Sequence, residues 1–232
     1  MRAGFPSPAD DYLEGEVDLR REISGGRRSV RLVDVPDPEG RVPRLVLAVD
    51  AALRPADGDT VLAHVHGDAV VARLRVGATG ASLLLPGGVV ADAAEARAAG
   101  VVTWSMRGFR DGPARRDADG YGFLTPVPHA SFLFAVDGSS MRGAGIRDGD
   151  VLVVDRSLRA APGDVVVAAI AGGRTVKRLL DDRGGAVLAF EEGPGDRRRL
   201  PLNPEDSLFG VVAWCLHRLR APAAPPPRRG RA

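Results

Sequence analysis

The sequence predicts a mostly β protein, two tandem copies of one small β fold behind an extended N-terminal arm. Three observations carry this expectation. Short runs rich in Val and Leu recur along the chain and are separated by Gly- and Asp-bearing turns, the pattern of an all-β fold. Hydrophobic residues make up 44% of the chain but aromatics only 5%, so the core must be built from Val, Leu and Ala. The second half of the chain repeats the first, and internal repetition sets architecture before any local signal does.

Residues 1–22 read as an extended arm. Phe5-Pro6-Ser7-Pro8 carries two prolines, which lack a backbone N–H and oppose helix, and the stretch from Asp10 to Glu16 is acidic. Residues 23–110 form the first copy, with strands expected at Ser29–Val35, Arg44–Val49, Thr60–His66, Ala69–Val76 and Ala81–Leu85. Asp57-Gly58-Asp59, Gly67-Asp68 and Pro86-Gly87-Gly88 supply the turns between them. The Ala-rich stretch Ala91–Ala99 reads as a short helix. Residues 111–125 read as a polar linker and 126–220 as a second set of strands. Residues 221–232, with four prolines and three arginines, read as a disordered tail.

Ala48–Leu74 lies on Val153–Leu179 without a gap, and 13 of the 27 positions are identical. Asp50/Asp155, Arg54/Arg159, Gly58/Gly163, Asp59/Asp164 and Arg73/Arg178 are among them. Further on, Gly100-Val101-Val102-Thr103-Trp104 matches Gly210-Val211-Val212-Ala213-Trp214. The copies differ chemically. Lys177 falls opposite Ala72, and Asp137-Gly138-Ser139-Ser140-Met141 falls opposite Asp34-Val35-Pro36-Asp37-Pro38, which has no serine.

Charge and composition exclude several classes. With 32 basic and 30 acidic residues, bulk electrostatics give no reason to expect direct nucleic-acid binding. A single cysteine, Cys215, forbids an internal disulfide, which suits a reducing cytoplasmic compartment. No apolar run is long enough for a membrane span. His64 and His66 have no further ligand nearby, and structural zinc wants four. Asp117-Ala118-Asp119-Gly120 lacks the closing acid of a calcium loop. Arg197-Arg198-Arg199 reads as a solvated loop, and Trp104 and Trp214 read as core anchors. No cofactor or metal is called for.

Lys177 is the chain's one lysine beside 31 arginines. An ammonium can lose its proton on burial, whereas a guanidinium cannot. Thr175-Val176-Lys177-Arg178-Leu179 reads as a strand that places Lys177 between Thr175 and Leu179 on a fairly apolar face. Desolvation there would bring its pKa down toward neutrality. Gly138-Ser139-Ser140-Met141 follows an apolar strand, and a Gly-bearing turn can lift a hydroxyl clear of a sheet. A neutral amine can take a serine proton, the serine–lysine variant of nucleophilic catalysis.

The run Gly138-Ser139-Ser140-Met141-Arg142-Gly143-Ala144-Gly145-Ile146-Arg147-Asp148-Gly149-Asp150 resembles the active-site signature of the LexA/UmuD family of self-cleaving peptidases. So do Val153-Val154-Asp155-Arg156, Pro162-Gly163-Asp164-Val165-Val166-Val167-Ala168 and Thr175-Val176-Lys177-Arg178-Leu179, in order and at the family's distances. The arm Gly4-Phe5-Pro6-Ser7-Pro8-Ala9-Asp10-Asp11-Tyr12-Leu13-Glu14 is similar to the UmuD branch, where this motif follows the self-cleavage bond. The resemblance covers the arm and about residues 129–216.

It implies two LexA C-terminal-domain-like folds, Ser140 as nucleophile, Lys177 as general base, the backbone N–H groups of Ser139 and Ser140 as oxyanion donors, and cleavage between Ala3 and Gly4. It also implies an SOS-response protein that answers to the RecA filament. Its processed form would be an accessory subunit of an error-prone, Y-family translesion polymerase. Since UmuD-like proteins work as dimers, the first copy is expected to supply the partner fold within one chain, a pseudo-dimer with one working site. Three departures stand out. Asp137 and Ser139 occupy places where small neutral residues are usual, the first copy separates arm from serine, and only three residues precede Gly4. The alternatives are a non-catalytic UmuD′-like scaffold and a LexA-type repressor without its DNA-binding domain. A signal-peptidase relative would need a membrane anchor.

Overall fold

Alternating Val and Leu runs become strands because a pleated strand buries one face and leaves the other free. The computed structural model describes residues 18–37, 40, 42–78, 80–110, 120–170, 172–182 and 185–220. A short helix, α1 (Leu19–Ser24), precedes strands β1 (Val30–Val35), β2 (Arg44–Asp50), β3 (Thr60–Val65), β4 (Asp68–Gly77), β5 (Gly80–Leu84), β6 (Val90–Asp92) and β7 (Ala96–Gly108). Seven more follow: β8 (Ser131–Ala135), β9 (Val151–Asp155), β10 (Val165–Ile170), β11 (Gly173–Asp182), β12 (Gly185–Ala189), β13 (Arg199–Pro201) and β14 (Ser207–Arg218). The mostly β expectation holds, and every strand pairing among the described residues is antiparallel.

The same order of pairing occurs twice. In the first half β1 pairs β2, β2 pairs β7, β7 pairs β3, and β4, β5 and β6 add in turn. In the second half β8 pairs β9, β9 pairs β14, β14 pairs β10, and β11, β12 and β13 add in turn. Irregularities recur as well. The ladder skips Thr103 and Ala99 in β7, and Ala213 and Phe209 in β14. At Gly100 a Cβ would lie 2.8 Å from the Asp50 carbonyl oxygen, and at Gly210 a Cβ would lie 3.2 Å from that of Asp155. A side chain at either position would push β7 off β2 or β14 off β9, so both halves have glycine there.

The halves join through β7 and β14. Leu216 faces Met106, Trp214 faces Gly108 and Arg218 faces Trp104. At the spacing that superposes Trp104 on Trp214, this register is self-complementary, as in a two-fold interface. Arg218 stacks over Trp104 at 4.5 Å from the ring centroid. Gly108 clears space for Trp214, whose ring lies 3.1 Å from where a Cβ would stand. Two matched arginines clamp the seam. Arg110 donates from Nε to Asp164 Oδ1 (2.9 Å) and from Nη2 to the Arg159 carbonyl (3.2 Å). Arg220 donates from Nη1 to Asp59 Oδ2 (2.6 Å) and to the Arg54 carbonyl (3.2 Å).

One core cluster spans the seam, with Val46, Ala48, Trp104 and Met106 from the first half against Val153, Trp214 and Leu216 from the second and Leu124 from the segment between them. Both tryptophans are buried in it, as expected.

Three local expectations need correction. The end of the arm is helical: Asp18 accepts from the Arg21 N–H at 3.0 Å, Gly25 closes α1 in the left-handed conformation, and Leu19 and Ile23 are buried against the core. Ala91–Ala99 is not a helix. Ala91 pairs with Leu83 and Ala98 with Ala63, so ladder formation overrides alanine's propensity, leaving only a single 3-10 turn at Ala93–Glu95. The end of the linker is core, with Leu124 fully buried and Phe123 edge-on to Trp214 at 5.0 Å between centroids. The rest of the arm, most of the linker, including the Asp117-Ala118-Asp119 stretch, and the tail at 221–232 lie outside the described residues. Among those described, no helix is long and apolar enough to cross a membrane.

Candidate active site

The loop that carries Ser140 starts where β8 ends. The Val136 N–H donates to the Asp150 carbonyl (2.9 Å) and the Gly149 N–H to the Val136 carbonyl (3.0 Å), which closes a loop around residues 137–148. Gly138 turns the chain at φ 103° and donates its N–H to Asp148 Oδ1 at 2.8 Å. Met141 is the anchor: its side chain is buried among Ala144, Ile146, Leu152 and Val154. A short 3-10 turn, Arg142–Ala144, follows and ends in left-handed Gly145.

A second segment grips the same loop. The Glu191 N–H donates to the Ser140 carbonyl (2.9 Å), and the Gly143 N–H donates to the Glu191 carbonyl (2.5 Å). A Cβ on Gly143 would lie 2.7 Å from that oxygen, so glycine is required for the approach. With Met141 pinned from below and Ser140 tied at its carbonyl, the Ser140 hydroxyl has a fixed origin. Among the described residues, neither the Ser139 nor the Ser140 N–H donates to another protein group.

Lys177 comes from β11, opposite Val166 of β10. Its side chain is only 3% exposed. Nζ lies 2.9 Å from Ser140 Oγ, 2.7 Å from Thr175 Oγ1 and 2.8 Å from the Val176 carbonyl oxygen. A neutral amine has two N–H donors and one lone pair. Donation to Thr175 and Val176 uses both donors and leaves the lone pair to accept from the Ser140 hydroxyl. Burial pulls the Lys177 pKa down to about 8, and the positive charge of Arg198 pushes in the same direction. The Phe190 ring covers the amine at 4.4 Å from its centroid, keeping water from that side.

The structure thus brings Ser139, Ser140 and Lys177 together and leaves Ala3 and Gly4 outside the described residues. Other contributors were not legible as such in the sequence. Thr175 was read only as a flank, yet it receives a hydrogen bond from the amine. Phe190 had no signal at all. Arg198 reads as a solvated charge and is exposed; beyond that, it donates to Glu192 Oε2 (2.6 Å) and Asp196 Oδ2 (2.8 Å) and lies over Phe190 at 4.6 Å. Those bonds hold the Glu192 and Asp196 carboxyls below the usual carboxylate range. Glu192 also accepts from Ser139 Oγ at 3.0 Å, so the ionic cluster touches both ends of the site.

The corresponding place in the first half is inert. Ala72 takes the register of Lys177, opposite Val61 of β3, and is buried among Ala63, Leu74 and Leu83. His66 sits in a turn at φ 51° against Glu95, apart from His64 on β3. No group of His, Cys, Asp and Glu among the described residues could hold a metal.

The sequence pattern of the Peptidase S24-like family matches residues 117–210. Protein ImpA of Salmonella typhimurium is 38% identical over 107 residues, 46% of this chain and 72% of ImpA. Protein MucA of Escherichia coli is 58% identical over 53 residues, 23% of this chain and 36% of MucA. A LexA repressor from Saccharophagus degradans is 39% identical over 84 residues, 36% of this chain and 37% of that repressor.

Proposed function

Because the chain belongs to the Peptidase S24-like family, the family of LexA and UmuD, we propose that it is a UmuD-like self-cleaving serine peptidase of the SOS response. The observation that carries this reading is the 2.9 Å contact between a buried, lowered-pKa amine and a loop-fixed hydroxyl. Ser140 Oγ gives its proton to Lys177 Nζ and attacks the carbonyl carbon of Ala3. The oxygen of that carbonyl becomes an oxyanion held by the N–H groups of Ser139 and Ser140, the usual device for a developing negative charge. The Lys177 ammonium then passes its proton to the Gly4 nitrogen as the C–N bond breaks. Water, deprotonated by the same amine, releases the acyl group from Ser140.

The processed form is an accessory subunit of an error-prone translesion polymerase, and the RecA filament promotes cleavage. The first half is the non-catalytic partner of a pseudo-dimer. Its repeated pairing order, its self-complementary β7–β14 register and the matched arginine clamps support that role. The test is incubation of the protein at alkaline pH, alone and with activated RecA filament, with intact mass read for loss of residues 1–3. A version extended upstream of Met1 is tested alongside. Cleavage abolished by Ser140→Ala and by Lys177→Ala is the expected result. If neither version is cut, or both variants behave like the parent, the peptidase reading fails.

A further inference from the structure

The backbone of the seam is two-fold, but its side chains are not. The Phe109 N–H donates to the Ala213 carbonyl (3.0 Å) and the Leu219 N–H to the Thr103 carbonyl (2.9 Å), a matched pair at the spacing that lays Trp104 on Trp214. At the same spacing Arg107 corresponds to His217 and Phe109 to Leu219. His217 turns back within its own half, with Nδ1 2.6 Å from Asp150 Oδ1, and Leu219 is 40% exposed. Their counterparts reach across. Arg107 donates from Nη1 to the Gly145 carbonyl oxygen at 3.2 Å, and Phe109 packs against the cluster that buries Met141, Ala144 and Ile146.

Both side chains land on the loop that carries Ser140. Gly145 ends the turn that follows Met141, and the Ile146 N–H donates to the Met141 carbonyl at 3.2 Å. A hold on the Gly145 carbonyl is therefore passed to Met141 within one turn, and Ser140 is the next residue. The fit is close, since a Cβ on Gly145 would overlap the Arg107 guanidinium. Among the described residues no carboxylate forms an ion pair with Arg107. Its charge strengthens the bond to the carbonyl instead. The first half offers no comparable loop to hold: residues 36–43 separate β1 from β2, against 136–150 between β8 and β9. The seam thus reaches one way, from the half that lacks a lysine to the half that has it.

We propose that Arg107 and Phe109 are positioning residues: from across the seam they hold the loop where the Ser140 hydroxyl meets Lys177, so the first half sets the rate of the second half's chemistry. This rests on the peptidase reading, because it assigns both residues a part in that reaction. Without Arg107 the Gly145 carbonyl loses its donor and the turn can drift; without the Phe109 ring the packing around Met141 loosens. A displacement of about 1 Å at a reacting group can cost about a hundredfold in rate.

Two measurements on the full chain test it: the self-cleavage rate by intact mass, and the pH midpoint of the single lysine labelled with 13C at Cε, which needs no cleavage. Arg107→Ala and Phe109→Ala should each slow cleavage about tenfold or more and move the lysine midpoint in the direction that Ser140→Ala moves it. Leu219→Ala, at the matched place on β14's side of the seam, should leave both at the parental value. Arg107→Met keeps an apolar stem without the donor and covers the case in which truncation loosens the fold; denaturant melts establish that each variant is folded. A contact that only stabilised the seam would lower those melts and leave the native lysine midpoint where it was. The proposal is overturned if that midpoint stays parental in Arg107→Ala, Arg107→Met and Phe109→Ala, if all three are cut at the parental rate, or if Leu219→Ala has an equal effect. Should the parent itself not be cut, the peptidase reading fails, and the lysine midpoint alone decides whether Arg107 and Phe109 hold the loop.

Discussion

The first half (residues 23–110) and the second (126–220) share strand order, bulges and cross-seam clamps, yet one carries a buried amine and the other a buried methyl at the same register. The fold does not require the lysine. Ala72 packs quietly among Ala63, Leu74 and Leu83, whereas Lys177 must be held by Thr175, Val176, Ser140 and the Phe190 ring. A scaffold that folds with alanine at this register but holds a lysine at a cost in desolvation supports the catalytic role proposed for that lysine.

The largest effect that sharpens this contrast is on cleavage. Lys177→Ala and Ser140→Ala should each lower the self-cleavage rate by about a thousandfold or more, since dyad members act as a unit. Ala72→Ser in the first half should leave the rate unchanged, and intact-mass time courses compare all three. Gly143→Ala comes next. Its Cβ would strike the Glu191 carbonyl and shift the nucleophile loop, with an expected loss of about a hundredfold for a displacement near 1 Å. Retention of full rate would mean that the Glu191 grip does not position Ser140.

Stability gives the following pair. Lys177 has a native pKa of about 8 against an ordinary 10.5. Between those values the unfolded chain holds a proton that the native chain has lost, so stability rises with pH across the window. Below about pH 8 the cost is fully present. Lys177→Met should therefore stabilise the protein at pH 7 by about 3 kcal/mol, with the gain fading as pH approaches the unfolded value. Ala72→Lys should destabilise by a similar or larger amount, about 3–5 kcal/mol, because that site has no prepared acceptors. Denaturant melts at several pH values measure both. The smallest effect concerns the seam. Arg110→Ala and Arg220→Ala each remove one half of the matched clamp and should cost about 1 kcal/mol apiece. Unequal losses would break the two-fold description of the junction.

Much of this molecule could be read from its residues. Each of the five strands expected in the first half coincides with an observed one to within a residue or two at either end, because turn residues such as Asp57-Gly58-Asp59 leave little freedom of boundary. Ser140 and Lys177 were legible because one lysine among arginines is conspicuous and its motif has fixed spacing. What was not legible depends on tertiary proximity. Ala91–Ala99 prefers helix locally but has strand partners on both sides. Leu19 and Ile23 fit a helix only once the core spanning the seam exists to receive them. Phe190 and Arg198 belong to a segment with no pattern of its own, and their place beside the amine comes from the return of the chain after β12.

The proposed chemistry depends on the protonation of one amine, and the chain's single lysine makes it directly observable. Labelling with lysine enriched in 13C at Cε yields one side-chain resonance, whose shift can be followed from pH 6 to 11. A midpoint near 8, moving when Ser140 is replaced by alanine, is the result predicted here. A midpoint at or above 10.5, unaltered by that replacement, would contradict it.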